Sequence, residues 1–468
     1  MDGPLDYFAS LTVPAEEQEL LDRLAGLGLI IPSELIQQVL DESNCHSTRK
    51  CRLNSEIMLW LIVAMGIFAS YPIRSVFRAS QRFRDKDDIP SRSALCKARK
   101  RLGISPLRLL FKKVVTLQCL PEVPGGFYAG LRLMGIDGVQ FTCPFTPANV
   151  AAFGLPKGGN TSESKGGYPV IGKVSLVELG SHVEYAFVPR SQDHGESTMA
   201  KRLVRHLKSG MLVFLDAGFF GYCLLRMIVE SGAEFLVNVS STPHLTPHET
   251  LSDDSYLSKI YANGTDRKKD RNGIVVRVLK YQLDDPQRPG HGETRRLVTT
   301  LLDHVRHPIK DLINLYHERW EHELMNDEQK THQDPRRAGK STHLRSESPS
   351  GVIQELYGLS LAHFVIRKAM FEAASKIGID PDRLSFTGAI QILQVRLPEC
   401  DPNPTPSSLR KWYNRLLIEM EGELVEPRRN RINPRVVKAA RRKWKAKQPT
   451  DYGLAKLSKT FMDSILVT

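Results

Sequence analysis

The sequence predicts a mixed α/β protein: a core of strands and helices carrying a β-rich insertion, preceded by a helical basic region and followed by a basic helical tail. Three observations carry this expectation. Two hydrophobic runs, 131–137 and 212–218, each reach an Asp followed at once or soon by Gly, a pattern of α/β folds with sites at strand ends. Residues 1 to about 120 are instead spaced for helices. Residues 310–330 hold no Gly or Pro and are rich in Leu, Glu and Arg, so they read as one long helix between Pro308 and Pro335.

At 468 residues the chain exceeds one ordinary domain, and roughly three are expected. An apolar content of 41% suffices to bury a core, which excludes global disorder. The net charge of +13 and a pI near 9.3 point to a polyanionic partner, nucleic acid first and an anionic membrane second. The seven Cys form no CxxC pair, as expected of scattered reduced thiols in a cytosolic protein. Cys45, His46 and Cys51 offer zinc-type donors without an evident fourth. The N-terminus lacks the basic and apolar regions of a signal peptide, and the longest apolar run, 57–69, falls short of the roughly 20 residues a membrane span needs.

Taken in order, Pro32 opens a helix with Leu35, Ile36 and Val39 at helical spacing. A buried helix over 55–69 follows, stopped at Pro72. Residues 74–113 are strongly basic. Within them, 90–103 reads as a capped helix closed by Gly103, with Ala94, Leu95, Ala98 and Leu102 as a narrow apolar stripe. Its bases Arg92, Lys97, Arg99, Lys100 and Arg101 are expected to face elsewhere and to contact DNA; a merely soluble basic helix is the plainer alternative. Pro121 and Pro124-Gly125-Gly126 mark a linker.

Beyond the linker, strands are expected over 131–137, 170–179, 182–189, 212–216 and 234–239, and helices over 196–207 and 222–231. Residues 241–305 break this rhythm and read as the insertion, with strands over 273–283 and 293–302. Downstream of the 310–330 helix come a basic Ser-rich loop over 336–350, a long core helix over 352–377, a Pro-rich linker over 401–407, and a tail whose stretch 428–447 carries ten bases and no acid. The expected parts are a helical DNA-binding domain, 1–122; a core, 123–240 and 306–400; the insertion, 241–305; and a basic C-terminal region, 401–468.

The chemistry gathers on the helix 310–330. Tyr316, Arg319, Glu323 and Lys330 are spaced by 3, 4 and 7, so in an α-helix they share one stripe. A carboxylate flanked by Arg and Lys suits a site where Glu holds a divalent metal and the bases hold phosphate oxygens, although charged stripes are commonly just solvated faces. An Asp at a strand end is often only a turn former or a cap. Taken together, Asp137, Asp216 and Glu323 make three carboxylates that could hold two Mg²⁺ ions about 3.5–4 Å apart for phosphoryl transfer. His317-Glu318-x3-His322 is one residue too long for the HExxH zinc motif, and no GxxxxGK[ST] loop is present to suggest ATP use.

The spacing Tyr316-x2-Arg319-x3-Glu323-x6-Lys330 resembles the YREK signature of IS4-family transposases. Asp137-Gly138 with downstream Pro147, Asn149 and Phe153-Gly154, and Asp216-x-Gly218-Phe219, resemble the segments around that family's first and second catalytic Asp. The likeness spans nearly the whole chain, including the basic helix 90–103 and Arg429-Asn430-Arg431. It implies an RNase H-like core interrupted by the β-rich insertion, and metal-dependent cleavage at transposon ends with 3′-OH strand transfer into target DNA. By this match Asp137, Asp216 and Glu323 would bind two Mg²⁺ or Mn²⁺ ions, while Tyr316, Arg319 and Lys330 would grip phosphates near the cut. The implied partners are transposon-end and target DNA and a second copy of the chain, with no membrane and no nucleotide cofactor, in the bacterial cytoplasm. Family members that excise through a hairpin flip a base onto aromatics of the insertion. A non-catalytic DNA-binding relative and an unspecific nuclease are the competing functions.

Overall fold

The computed structural model describes residues 18–47, 51–81, 89–156, 167–240, 242–286, 291–333, 342–401, 403–427 and 459–468. The basic stretch 428–447, and Arg82 and Arg84 of the basic N-terminal run, lie outside the described residues. The chain divides into two compact units: Met1–Pro124, Gly138–Gly195 and Glu323–Val425 form the first, and Gly125–Asp137, Glu196–His322 and Glu426–Thr468 the second.

The first unit opens with a 3-10 helix, Gln18–Leu29, then α1 (Ser33–Glu42), α2 (Ser55–Ile67), α3 (Ile73–Ala79), α4 (Arg92–Leu102) and α5 (Ser105–Val114). Local chemistry sets these boundaries. Pro32 and Pro72 stand at the N-caps of α1 and α3, where an extended backbone is needed. Asn54 and Ser91 accept the N–H groups of Ile57 and Ala94 at the starts of α2 and α4. α2 is apolar on every face and buried along nearly its whole length, as the sequence predicts.

β1 (Phe127–Tyr128) and β2 (Leu131–Thr142) follow, then α6 (Pro147–Phe153) and the hairpin of β3 (Val170–Glu178) and β4 (Val183–Arg190). β2 does not stop at Asp137, as expected from the sequence, but runs through Asp137-Gly138 for four further residues. The alternation explains this, since Val139 and Phe141 are buried while Gln140 between them is exposed.

The second unit continues with α7 (Glu196–Ala200), β5 (Met211–Leu215), α8 (Tyr222–Glu230), β6 (Glu234–Val239), β7 (Glu249–Thr250), β8 (Tyr256–Ile260), α9 (Gly264–Lys268), β9 (Ile274–Leu283), β10 (Arg295–Thr299) and α10 (Ile309–Leu315). β2 pairs in parallel with β5, and β5 in parallel with β6. The strands expected as an insertion extend this sheet. β10 lies antiparallel to β6, with Arg296 opposite Val239 and Thr299 opposite Leu236, and β9, β8 and β7 follow in order.

α11 (Trp320–Asp327), α12 (Pro349–Ile377), α13 (Phe386–Arg396) and α14 (Pro406–Glu421) complete the helices, and β11 (Ile465–Val467) is the last strand. α12 is the long core helix expected over 352–377, capped by Ser348 and closed by Gly378 at φ +67°. It crosses α2 at two glycines, where a Cβ on Gly66 would stand 2.2 Å from the Gly358 carbonyl oxygen. β11 pairs with β9 at Tyr281–Leu283, beyond the stretch of β9 that β8 covers. The chain after the basic tail therefore returns to the sheet, which its composition does not announce.

The single helix expected over 310–330 is instead a composite. α10 gives way to a 3-10 turn, Tyr316–Arg319, then α11, then a π-turn, Glu328–His332, closed by the Gln333 N–H on the Glu328 carbonyl at 2.6 Å. Absence of breakers correctly signals helix, but it does not set the hydrogen-bond step of each turn.

Candidate active site

Parallel pairing of β2 with β5 matches Ile136 to Leu215. Asp137, within β2, and Asp216, just past the end of β5, are the residues that follow this matched pair, so the two acids stand side by side, roughly 5 Å apart at the backbone. Both are half-buried. Asp216 opens the 3-10 turn Ala217–Phe219 and accepts the Ala217 N–H at 2.8 Å through Oδ1. That bond fixes one carboxylate oxygen and leaves lone pairs of the other for a further partner.

Tyr316 stands beneath this pair. Its hydroxyl donates to the Leu215 carbonyl at 2.9 Å, one residue before Asp216, and its ring lies 6.4 Å from that of Phe214. Burial pushes the phenol well above its ordinary pKa; Arg319 opposes the rise and Asp216 adds to it. The sequence match expects Tyr316 to meet phosphate, but its one proton is given to β5. As placed, Tyr316 positions the segment carrying Asp216. Tyr316→Phe is accordingly expected to slow strand cleavage about fivefold, roughly the 1 kcal/mol of one hydrogen bond, with DNA affinity measured by anisotropy unchanged. The Arg319 guanidinium carbon sits 5.8 Å from the Tyr316 ring centroid and is half-buried, in cation–π contact. On the residue after Tyr316, the His317 ring meets Phe461 edge-on with centroids 3.5 Å apart, so the chain's last segment braces this turn.

Glu323 lies four residues beyond Arg319 in α11, and Lys330 lies within the π-turn; both are half-buried. The π-turn carries buried polar groups that the sequence reading passed over. Glu328 is 3% exposed; Arg367 Nε donates to it at 2.8 Å, and His363 Nε2 and His182 Nδ1 lie 2.9 and 3.1 Å from its oxygens. Burial pushes the Glu328 carboxyl up, but Arg367 and His182 overcome it and hold the group well below the ordinary value. Gln329 is 1% exposed, donates to Glu184 at 3.0 Å and accepts from Lys173, which itself pairs with Glu184 at 2.7 Å. No local pattern marks these residues, because every partner except Gln333 is distant in sequence.

A second feature lies wholly in the first unit. A cleft of about 590 Å³ is lined by Arg74, Arg92, Lys97, Lys100, Arg345 and Ser348, among others. Of the five bases expected to meet DNA, Arg92, Lys97, Lys100 and Arg101 are exposed, and all but Arg101 line this cleft. Arg99 departs from the expectation. It is buried, donating to Gln354 at 3.2 Å, Ser346 at 3.2 Å and the Gly351 carbonyl at 3.0 Å. The signal was available: Leu95, Ala98, Arg99 and Leu102 fall at i, i+3, i+4 and i+7, one helix face. Arg99→Ala should therefore cost about 2–3 kcal/mol in denaturant unfolding, by orphaning buried acceptors, while Lys100→Ala leaves stability unchanged. Equal costs for the two would refute this division.

Comparison with known proteins shows the family. Residues 21–112 match the family of insertion element 4 transposase N-terminal regions, and residues 131–365, half of the chain, match the transposase DDE domain family. Over 449 residues the chain is 29% identical to the transposase InsG for insertion sequence element IS4 of Escherichia coli strain K12, covering 93% of this chain and 96% of that protein. Among solved structures, a piggyBac transposase in a synaptic complex with hairpin DNA is similar over 88% of this chain and 87% of its own, at 12% identity and a TM-score of 0.39. The chain belongs to the DDE transposases of the IS4 family, and it is a DNA transposase.

Proposed function

We propose that this transposase cleaves DNA at the ends of its own element and transfers the freed 3′-OH ends into target DNA, using Asp137, Asp216 and Glu323 as its metal-binding carboxylates within an RNase H-like core. One observation carries the reading: the two Asp residues directly follow register-matched positions of adjacent parallel strands. Parallel pairing of β2, β5 and β6, and an antiparallel β3–β4 hairpin, support the RNase H-like core.

An all-carboxylate oxygen set suits a hard cation, Mg²⁺ or Mn²⁺, rather than zinc. Asp137 and Asp216 would hold such ions, two in number, with Glu323 as the third carboxylate. When bound, the pair supplies Lewis-acid stabilisation of the attacking and leaving oxygens of phosphoryl transfer. The chain's own groups do the rest. Tyr316 and the Ala217 N–H orient Asp216. Arg319 and Lys330 offer cations to phosphate oxygens, and the cleft lined by Arg74, Arg92, Lys97 and Lys100 holds the duplex backbone. Two copies of the chain would bridge the two ends of the element in the bacterial cytoplasm. Among the described residues, no helix is long and apolar enough to cross a membrane.

The test is to incubate the protein with Mg²⁺ and duplex DNA bearing the ends of its own element, and to resolve nicked and hairpin products on denaturing gels. End-specific nicking is expected. Binding without cutting would leave only a DNA-binding protein, and indiscriminate degradation a nuclease. Lys97→Ala with Lys100→Ala is expected to weaken end binding and to lower the salt slope of log K by about 0.9 for each phosphate the two bases cease to neutralise. An unchanged slope would remove the cleft from the interface.

A further inference from the structure

We propose that Glu328 and Gln329 are positioning residues, which set the rotational phase of the helix bearing Glu323 and Lys330 through a buried polar clamp. The inference rests on the reading of Glu323 as a metal ligand.

Glu328 and Gln329 of the π-turn and Gln333 at its C-cap are buried, and each is bound to two other elements. Glu328 is held by His182, at the β3–β4 turn, and by His363 and Arg367 of α12. Gln329 is held by Lys173 of β3 and Glu184 of β4. Gln333 donates through Nε2 to the Gly66 carbonyl of α2 at 3.1 Å and the Leu359 carbonyl of α12 at 2.9 Å. Glu328 and Gln329 are both buried in the π-turn, whereas Lys330, the next residue, is half-exposed.

Energetics favour a role in register over one in stability. Glu328, Arg367, His182, His363, Lys173 and Glu184 are all buried. Taking several ionisable groups out of water costs about as much as their pairing returns, so an apolar filling would hold the fold at least as well. What a charged cluster adds is a single permitted register. The demand is strict at this place: turning a helix by about 20° moves a group on its roughly 6 Å rim by about 2 Å. A misplacement of 1 Å can cost about 100-fold in rate.

The experiment uses the full chain with Glu328→Gln, which keeps size and removes charge, and Gln329→Leu, which leaves the Lys173–Glu184 pair in place. Four quantities are read: folding by circular dichroism, affinity for end-bearing duplex DNA, affinity for Mn²⁺ from the paramagnetic resonance of the free ion, and single-turnover cleavage. The expected result is folded protein with DNA affinity within about twofold of wild type, and Mn²⁺ affinity and cleavage each lower by about 10- to 100-fold. A merely structural role would lower all activities together, in proportion to the unfolded fraction. A folded variant with wild-type Mn²⁺ affinity and rate overturns the proposal, as does failure of both variants to fold, which would make the cluster a determinant of the fold. Glu323→Gln is the separating control. If it still binds Mn²⁺ and cleaves, the reading of Glu323 falls and the clamp with it; if it is inert while the clamp variants behave as wild type, the clamp alone falls.

Discussion

Asp137→Asn, Asp216→Asn and Glu323→Gln should each lower strand cleavage by roughly 10³-fold or more while end binding stays within a few-fold of wild type. The size follows from the chemistry. Each substitution keeps the shape of the side chain and removes one negative charge from the proposed site for divalent cations. Loss of a metal's stabilisation at the transition state is worth several kcal/mol, and about 4 kcal/mol is a factor of 10³. Binding should be spared, because on the proposed reading the duplex is held mainly through phosphate contacts with bases such as Lys97 and Lys100 of the cleft. The two Asp variants should be alike, since both residues directly follow the register-matched pair Ile136 and Leu215 of β2 and β5. Asp216 has a structural duty as well, capping the turn at Ala217, and Asn retains the acceptor oxygen that does so. Asp216→Ala should therefore lose the cap besides the charge, with a lower thermal midpoint than Asp216→Asn. Substantial cleavage by all three charge-neutral variants would end the carboxylate assignment.

The regular elements of this chain are written in local pattern, and the site is only partly so. β6 falls on the expected residues 234–239, and α12 covers the expected 352–377, because apolar runs of one period and helix caps act over short distances. The acids Asp137 and Asp216 were legible as strand-linked carboxylates, though β2 continues past Asp137. What escaped were features set by remote partners. Tyr316 donates to Leu215, 101 residues away; Glu328 meets His182, 146 residues away; and Arg99 reaches Gln354, 255 residues away. No window of sequence holds such pairs, and they decide whether a charged residue faces water, substrate or core. The 3-10 and π-turns have the same origin. Propensity distinguishes helix from strand, whereas contacts with the rest of the fold choose the hydrogen-bond step within the helix. β11 escaped for another reason: three residues after a basic tail carry too little pattern to mark an edge strand.

Gly358 should be among the least replaceable residues of the first unit. A Cβ built on it would lie 2.4 Å from the Ile62 carbonyl oxygen, and one built on Gly66 would lie 2.2 Å from the Gly358 carbonyl oxygen. These are backbone atoms of α2 and α12, so no side-chain rotation relieves the contact; the helices must move apart. Alanine gains up to about 1 kcal/mol of helix propensity over glycine. Against that stands overpacking of a filled core, typically about 1–3 kcal/mol and more when the backbone must shift. Gly358→Ala should be destabilising by about 2 kcal/mol net, and Gly358→Leu by enough to abolish soluble expression, read by chemical denaturation and yield. Gly378 separates space from conformation. It has φ +67° and open surroundings, so Gly378→Asn should cost under about 1 kcal/mol, since Asn tolerates the left-handed region, whereas Gly358→Asn should be as damaging as Gly358→Leu. The double variant Gly66→Ala with Gly358→Ala should cost less than the sum of the two, because one separation of α2 from α12 accommodates both methyl groups. Strict additivity, or a Gly358→Ala protein as stable as wild type, would show that these helices do not depend on close backbone approach.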